Sequence, residues 1–192
     1  MPRCLTVKAI FENLRNARQT VTYILKGNGI EEFAPHFTFQ GFRYVSVEEY
    51  PGDVETDNFT GEVIHSDLEV TGSFECSNEL VNQLQHNILW GQKGNFLDVP
   101  TDCPQRDERL GWTGDAQMFI RTSCFNMNTA PFFTKWLRDL YSEQSLEKGV
   151  PFVVPNVLDE NSFSSSAWGD AATICPWTIY LCFGDKRILE QQ

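Results

Sequence analysis

A dense group of charged side chains near the middle of this 192-residue chain contains the residue types that could do chemistry. Carboxylates this close together repel one another unless they are paired, hydrogen-bonded, bound to metal or partly protonated. Cleavage of a glycosidic bond uses such a group, because one carboxylic acid donates a proton while others hold sugar hydroxyls and an aromatic face packs on the ring. Five carboxylates, two arginines and one tryptophan lie within 18 residues: Asp98, Asp102, Arg106, Asp107, Glu108, Arg109, Trp112 and Asp115.

Residue types alone leave two other interpretations of this segment open. A loop rich in Asp, Glu and Arg is most often a solvated loop crossed by ion pairs. Asp98, Asp102 and Asp115 could instead offer oxygen ligands to calcium, but their spacing differs from that of an EF-hand and the intervening arginines disfavour a cation. We predict no metal and no cofactor here. Cys103 has no histidine near it in sequence, so nucleophilic thiol catalysis is not expected.

The composition limits the classes of partner. The chain has 15 Lys and Arg against 26 Asp and Glu, a formal net charge of −11, which phosphate backbones and anionic lipid would repel. We therefore predict no nucleic-acid and no membrane partner. Abundant aromatics beside this acidity fit a neutral, hydroxyl-rich ligand. No signal-peptide pattern is present, which favours a cytoplasmic location, and the six scattered cysteines are expected to be buried thiols.

The first part of the chain predicts short β-strands. Between Thr20 and His65, short runs with alternating or clustered apolar residues are separated by turn signals, as in a β-sandwich. The runs lie at Val21–Leu25, around Phe37–Val45 and at Val63–His65. These few short strands cannot cover both faces of a sheet. We therefore interpret this part as the end of a larger domain.

From Ser73 onward the apolar residues follow a helical period. The first predicted helix is capped by Ser77 and buries a face that includes Leu80 and Leu84. The charged segment lies in the long irregular stretch 94–113 that follows this helix. Long ordered loops in compact domains are usually functional, so the position of the charged segment supports a role in chemistry.

Two further helices are predicted after the charged segment. One covers about 130–144, and its apolar stripe places Trp136 in the core. The other follows Trp168 and ends at Gly184. This last helix is apolar almost all round, which predicts that it is buried between other elements and that Trp177 also belongs to the core.

The charged segment also lies within a longer run that resembles a known family. Residues 99–117 read VPTDCPQRDERLGWTGDAQ and are similar to the signature of the bacterial α-L-rhamnosidases, a family of inverting glycoside hydrolases. The similarity extends from about Thr22 to Asp185. Further matching stretches are Gly41–Val45, His65–Asp67, Gly72–Asn78, Phe132–Asp139 and Ala167–Ala171.

The resemblance implies a mixed, mainly α fold. Residues 20–66 would be the C-terminal strands of a β-sandwich domain, and residues 67–192 the N-terminal part of an (α/α)6-barrel catalytic domain, with residues 1–19 left unassigned. It also implies an activity, the hydrolysis of terminal non-reducing α-L-rhamnose residues from glycosides with inversion. Rhamnose-containing glycosides or oligosaccharides would be the ligands.

The resemblance further assigns roles to individual residues. Glu108 matches the family's general acid, which protonates the leaving oxygen. A site with an apolar wall for the methyl group of a 6-deoxy sugar beside polar contacts for its hydroxyls is chemically sensible. The implied sugar contacts are Asp102, Arg106 and Asp115 to hydroxyls, and Trp112 and Trp168 to the ring and methyl group.

The chain departs from the family pattern in one important respect. Inversion needs a second carboxylate as general base, about 6.5–9.5 Å from the acid. No segment here matches the surroundings of the family's base, and only part of a barrel's helices is present. We expect exposed barrel-facing surface and self-association. The alternatives to catalysis are rhamnose binding without turnover and a structurally incomplete piece with no ligand.

Overall fold

The computed structural model describes residues 4–9, 14–159, 161–163 and 165–192, and they form two compact units. The sheet unit contains the described residues up to Ile64 together with Pro104–Glu108. The helical unit contains His65–Cys103 and Arg109–Gln192. The short run 104–108 of the charged segment therefore packs with the strands, although both of its flanks belong to the helical unit.

The sheet unit is built on a three-stranded antiparallel sheet in the order β2-β1-β3. Val7 of the central strand is paired with Val21 on one side and Val47 on the other. The central strand lies in the part of the chain to which the sequence pattern assigned no element. The strands are β1 (Cys4–Ala9), β2 (Thr20–Ile24) and β3 (Val45–Glu48).

Only part of the strand prediction is confirmed. The run Val21–Leu25 corresponds to β2, and β3 begins at Val45. The strands predicted around Phe37 and at Val63–His65 are wrong. Phe37 has a φ of 57°, in the left-handed region, which an extended strand does not allow.

Among its described residues, the helical unit consists of five helices and one short hairpin, whose two strands have two residues each. The predicted helices over 130–144 and after Trp168 are confirmed, the latter ending at Gly184 with a φ of 70°. No described helix is long and apolar enough to cross a membrane. The elements are α1 (Glu79–Asn95), β4 (Phe96–Leu97), β5 (Val99–Pro100), α2 (Thr113–Asn126), α3 (Ala130–Glu143), α4 (Ala171–Phe183) and α5 (Arg187–Gln191).

Helix α1 begins one residue later than predicted and exposes the face expected to be buried. Its cap is Asn78, whose side chain accepts a hydrogen bond of 3.0 Å from the Leu80 backbone N–H, and not Ser77. Leu80 and Leu84 are 81% and 57% exposed. The buried residue of α1 is instead the polar Gln92.

The core of the helical unit forms where α2, α3 and α4 pack together. Trp136 of α3 is completely buried, as predicted, and its Nε1 donates to the Val154 carbonyl at 3.2 Å. Trp177 is 52% exposed, so its assignment to the core was wrong. The buried side of α4 is the row of Cys175 and Ile179 at four-residue spacing, and Trp177 projects from another side of the helix.

Gly111 explains the close approach of two chain segments over Trp136. A Cβ added at Gly111 would lie 2.1 Å from the Val154 carbonyl oxygen and 3.3 Å from Trp136 Nε1. The Val154 N–H donates to the Gly111 carbonyl at 2.9 Å. Only glycine fits between these groups, so this residue fixes the chain just before α2 against the core.

Candidate active site

A cavity of about 570 Å³ opens within the helical unit. It lies among the C-terminal half of α1, the end of β5, the first turns of α2 and the turn before α4. Three of the residues predicted to contact sugar line it: Asp102, Asp115 and Trp168. The structure thus brings together, around one cavity, two carboxylates and an aromatic ring that lie up to 66 residues apart in sequence.

Asp102 holds the base of the loop that contains the predicted acid. Its Oδ1 accepts a hydrogen bond of 2.9 Å from the Leu110 N–H, and its own N–H donates to the Leu110 carbonyl at 3.1 Å. These two bonds close the stretch from 102 to 110 into a loop. Asp102 therefore combines a place on the cavity wall with a structural contact.

Asp115 lies in the first turn of α2 and is exposed at the cavity. The start of this helix is anchored because the Thr113 N–H donates to the Phe152 carbonyl at 2.9 Å. Unpaired N–H groups at a helix start favour a negative charge, so the position suits an ionised carboxylate. An ionised carboxylate at the cavity can accept hydrogen bonds from hydroxyl groups of a ligand.

Trp168 packs directly on the backbone of α2. A Cβ added at Gly114 would lie 2.8 Å from Trp168 Nε1, so the glycine leaves room for the indole. The ring meets Phe152 edge-on at 6.1 Å between centroids and remains 37% exposed. Gln117 of α2 donates to the Ala167 carbonyl and so fixes the residue that precedes the tryptophan.

The packing of Trp168 on α2 gives a direct mutational test. Gly114→Ala should lower the free energy of unfolding by about 1–3 kcal/mol, because the new methyl group overlaps the indole. Gly91→Ala is the matched control, since Gly91 also lines the cavity but has no atom within 4 Å of an added Cβ. That change should raise stability by about 0.5–1 kcal/mol, the helix preference for alanine. Urea unfolding measures the change in the free energy of unfolding for both variants. A change in the same direction for both would contradict the packing of Trp168 on Gly114.

Trp112 is not among the described residues that line this cavity. Its ring centroid is 6.5 Å from that of Phe152, and its backbone pairs with Val153. The indole Nε1 is buried and has no hydrogen-bond partner in the described part of the chain. The contact of Trp112 with a sugar ring, which the resemblance implies, stays a prediction.

The predicted acid, Glu108, and Arg106 belong to the sheet unit. Glu108 Oε2 accepts from Arg106 Nη2 at 2.9 Å and from Arg15 Nη1 at 3.1 Å, and the side chain is one-quarter exposed. The backbone has φ values of 128° at Glu108 and 42° at Arg109. Residues with side chains rarely adopt these conformations, and such strain is typical of functional sites.

Side chains near the start of the chain fasten the run 104–108 within the sheet unit. Asn16 donates from its backbone N–H and its Nδ2 to the Asp107 carboxylate at 3.2 and 3.4 Å. Gln19, which is buried, donates to the Gln105 carbonyl. Together with Arg15, these residues form a polar support for the predicted acid. The support was not predicted, because no local sequence pattern marks it.

A buried amide network lies behind the cavity and was also missed. Gln92 lines the cavity, and its Oε1 accepts from Asn126 Nδ2 at 2.9 Å. Asn126 Oδ1 in turn accepts from Gln85 Nε2 at 2.9 Å. Each link is a charge-neutral hydrogen bond between α1 and α2, so the network fixes the cavity wall without adding charge. The only sequence signal for this network was a polar residue within an otherwise apolar helical pattern.

Comparison with known proteins decides the family. The bacterial alpha-L-rhamnosidase 6 hairpin glycosidase domain matches residues 69–192, and the bacterial alpha-L-rhamnosidase concanavalin-like domain matches residues 6–65. The chain belongs to the bacterial α-L-rhamnosidase family. The resemblance and the fold class predicted from the sequence are thereby confirmed, with sandwich-type strands preceding helices of a six-hairpin domain.

Individual α-L-rhamnosidases are similar over nearly the whole chain. A relative from Formosa agariphila is 48% identical over 182 residues, which is 94% of this chain and 20% of that protein. The crystal structure of the Streptomyces avermitilis α-L-rhamnosidase complexed with L-rhamnose superposes with a TM-score of 0.94 at 42% identity and covers 98% of this chain and 19% of its own. The native Aspergillus terreus enzyme gives 0.93 at 44% identity, over 99% of this chain and 23% of its own. The chain thus spans about one-fifth of the relatives it matches.

Proposed function

We propose that this chain is the segment of an α-L-rhamnosidase that supplies the general acid and part of the sugar site. The reaction is hydrolysis of terminal non-reducing α-L-rhamnose residues from glycosides, with inversion at the anomeric carbon. The observation that supports this most is the placement of Asp102, Asp115 and Trp168 around one cavity. A wall with one aromatic face and two carboxylates suits a 6-deoxy sugar, which has both hydroxyls and a methyl group.

Each of these residues has a distinct role in the proposal. Asp115 accepts hydrogen bonds from sugar hydroxyls, and its position in the first turn of α2 favours a negative charge there. Trp168 offers a partly exposed indole to the apolar side of the ring. Asp102 holds the loop closed through Leu110 and presents its carboxylate to the cavity. Rhamnose-containing glycosides are the ligands we assign to this cavity.

Glu108 is the proposed general acid, on the basis of the family resemblance. Both guanidinium groups contact its Oε2, so Oε1 is the oxygen on which a transferable proton fits. In the protonated acid, Oε2 accepts from Arg15 and Arg106 as a carbonyl oxygen. After the proton passes to the leaving oxygen, the same two cations stabilise the carboxylate that remains. We assign no residue of this chain as general base, and propose that another part of the enzyme supplies it.

The location of the cavity residues supports a second candidate function, rhamnose binding without turnover. Asp102, Asp115 and Trp168 belong to the helical unit, whereas Glu108 belongs to the sheet unit. A chain that held the sugar through the cavity residues alone would bind it and release no aglycone.

The proposal is tested by two measurements on the 192-residue chain. Tryptophan fluorescence titrated with L-rhamnose should show saturable quenching, weaker with L-mannose, which has a hydroxyl group on the C6 carbon. Asp115→Asn should weaken rhamnose binding by about tenfold, the loss of one charge-assisted hydrogen bond. Glu79→Gln, a first-turn acid on α1 away from the cavity, is the control. Nitrophenol release from an aryl α-L-rhamnoside separates catalysis from binding alone, and absence of saturable quenching would contradict both functions.

The exposed apolar residues of α1 and α4 support one more proposal. Leu84, Trp177 and Leu181 are each more than half exposed. Apolar surface of this kind favours self-association of the chain at high concentration.

A further inference from the structure

Three cysteines lie close together where α2 packs against α4. Cys124 is on α2, and Cys175 and Cys182 are on α4. Cys124 and Cys175 are buried, whereas Cys182 is partly exposed at the end of its helix. The proposed glycosidase function uses none of them, so the cluster calls for a separate explanation.

The surroundings of the three thiols differ. Arg121 Nη1 donates to Cys182 Sγ at 3.2 Å, and Arg121 lies three residues before Cys124 on the same face of α2. Burial raises the pKa of the Cys124 thiol to about 11, and the neighbouring Cys182 also raises it. Burial likewise raises the pKa of Cys175 well above its usual range. Cys182 is therefore the accessible thiol beside a cation, and Cys124 is its protonated neighbour on the facing helix.

Helix geometry excludes one of the three possible pairs. Cys175 and Cys182 are seven residues apart on one helix, which separates their Cα atoms by about 10 Å along the axis. A disulfide requires Cα atoms within about 7 Å of each other, so these two cannot be bridged. Arg121 of α2 contacts Cys182 Sγ, which places Cys182 beside the turn of α2 that carries Cys124. Of the two remaining pairs, Cys124–Cys175 is buried on both sides, whereas Cys124–Cys182 contains a thiol that an oxidant can reach.

We propose that Cys182 and Cys124 form a reversible disulfide between α4 and α2, with hydrogen peroxide as the oxidant. Cys182 attacks one peroxide oxygen, the O–O bond breaks, and the leaving hydroxide takes up the thiol proton as water, which leaves a sulfenic acid on Cys182. Cys124 then attacks this sulfur. The S–S bond forms, the S–O bond breaks, and hydroxide leaves with the Cys124 proton as a second water. Two thiols are oxidised by two electrons, and one peroxide is reduced to two waters.

Arg121 has a specific part in this sequence. Its guanidinium group lies against the sulfur that attacks the peroxide and compensates the negative charge that this sulfur develops. The disulfide would join two helices that both contribute to the core of the helical unit. Oxidation would therefore link α2 covalently to α4, and α2 is the helix that also presents Asp115 to the cavity.

The test uses the 192-residue chain treated with a small excess of hydrogen peroxide, then denatured and alkylated. Intact mass should show two fewer alkylated thiols and the loss of two hydrogens, both reversed by dithiothreitol. Peptide mapping should find one linked pair, containing positions 124 and 182. Cys182→Ser is the deciding variant, because its side chain is partly exposed and the change leaves the core intact. It should abolish the crosslink, as should Cys124→Ser.

Two controls complete the experiment. Cys76→Ser removes an exposed thiol outside the cluster and should leave the crosslink unchanged. Arg121→Gln should slow thiol loss severalfold without changing which peptides are linked. A crosslink that includes Cys76, that depends on protein concentration, or that persists in Cys182→Ser would overturn the proposal. So would oxidation of Cys182 to the sulfinic acid with no linked peptide.

Discussion

Replacing Trp136 with alanine should lower the free energy of unfolding of the helical unit by about 3–5 kcal/mol. The indole is completely buried and meets Phe133 edge-on at 6.0 Å between centroids. Its removal leaves a large cavity and takes a hydrogen-bond donor from the Val154 carbonyl. The measurement is urea unfolding followed by circular dichroism at a helix wavelength, since tryptophan emission changes with the substitution itself.

Trp177→Ala is the matched control for that experiment. Both tryptophans were predicted to lie in the core, but Trp177 is 52% exposed, so its loss should cost less than about 1 kcal/mol. Repeating the unfolding at several protein concentrations tests the self-association proposal. A cost for Trp177→Ala that rises with concentration would place another copy of the chain on this face of α4. An equal cost for the two substitutions at every concentration would contradict the described burial.

In an enzyme whose remaining part supplies the general base, Glu108→Gln should slow hydrolysis of α-L-rhamnosides by about 10²–10⁴-fold if Glu108 is the general acid. Glutamine keeps the shape of the side chain and an oxygen that accepts from Arg15 and Arg106, but has no proton to transfer. The size of the effect should depend on the leaving group. Nitrophenol leaves readily as an anion and needs little protonation, whereas an alkyl alcohol needs nearly full protonation, so the alkyl rhamnoside should be affected far more.

Asp107→Asn is the control for the acid assignment. Asp107 accepts hydrogen bonds from Asn16, and an asparagine oxygen retains one of them, so hydrolysis should change little. A rate loss in Glu108→Gln that is the same for nitrophenyl and alkyl rhamnosides would assign Glu108 a positioning role. A larger loss in Asp107→Asn than in Glu108→Gln would contradict the assignment altogether.

The sequence predicts well those helices whose buried face is apolar. The stripe of α3 and the glycine that ends α4 are local signals, and both helices are found where expected. Helix α2 was missed because its buried face includes Gln117, Ser123 and Asn126, which weakens the apolar period. The exposure of Leu80 on α1 could not be predicted either, since periodicity shows that a face is apolar and not what covers it.

The residues of the candidate site could likewise be predicted only in part. Asp102, Asp115 and Trp168 were predicted through the family resemblance, and the structure places all three around one cavity. Arg15 was not predicted, because its contact with Glu108 joins residues 93 positions apart and leaves no trace in local composition. Contacts of this kind are decided by tertiary packing alone.

The support of the run 104–108 by Arg15, Asn16 and Gln19 has a consequence for how such an enzyme can diverge. The cavity to which we assign rhamnose belongs to the helical unit, whereas the groups that hold the proposed proton donor belong to the sheet unit. Under the proposed function, substitutions in the strands and their connections would alter the speed of bond cleavage, and substitutions among the helices would alter the affinity for the sugar. Natural selection could then adjust turnover through changes in the strands that leave the cavity residues in place.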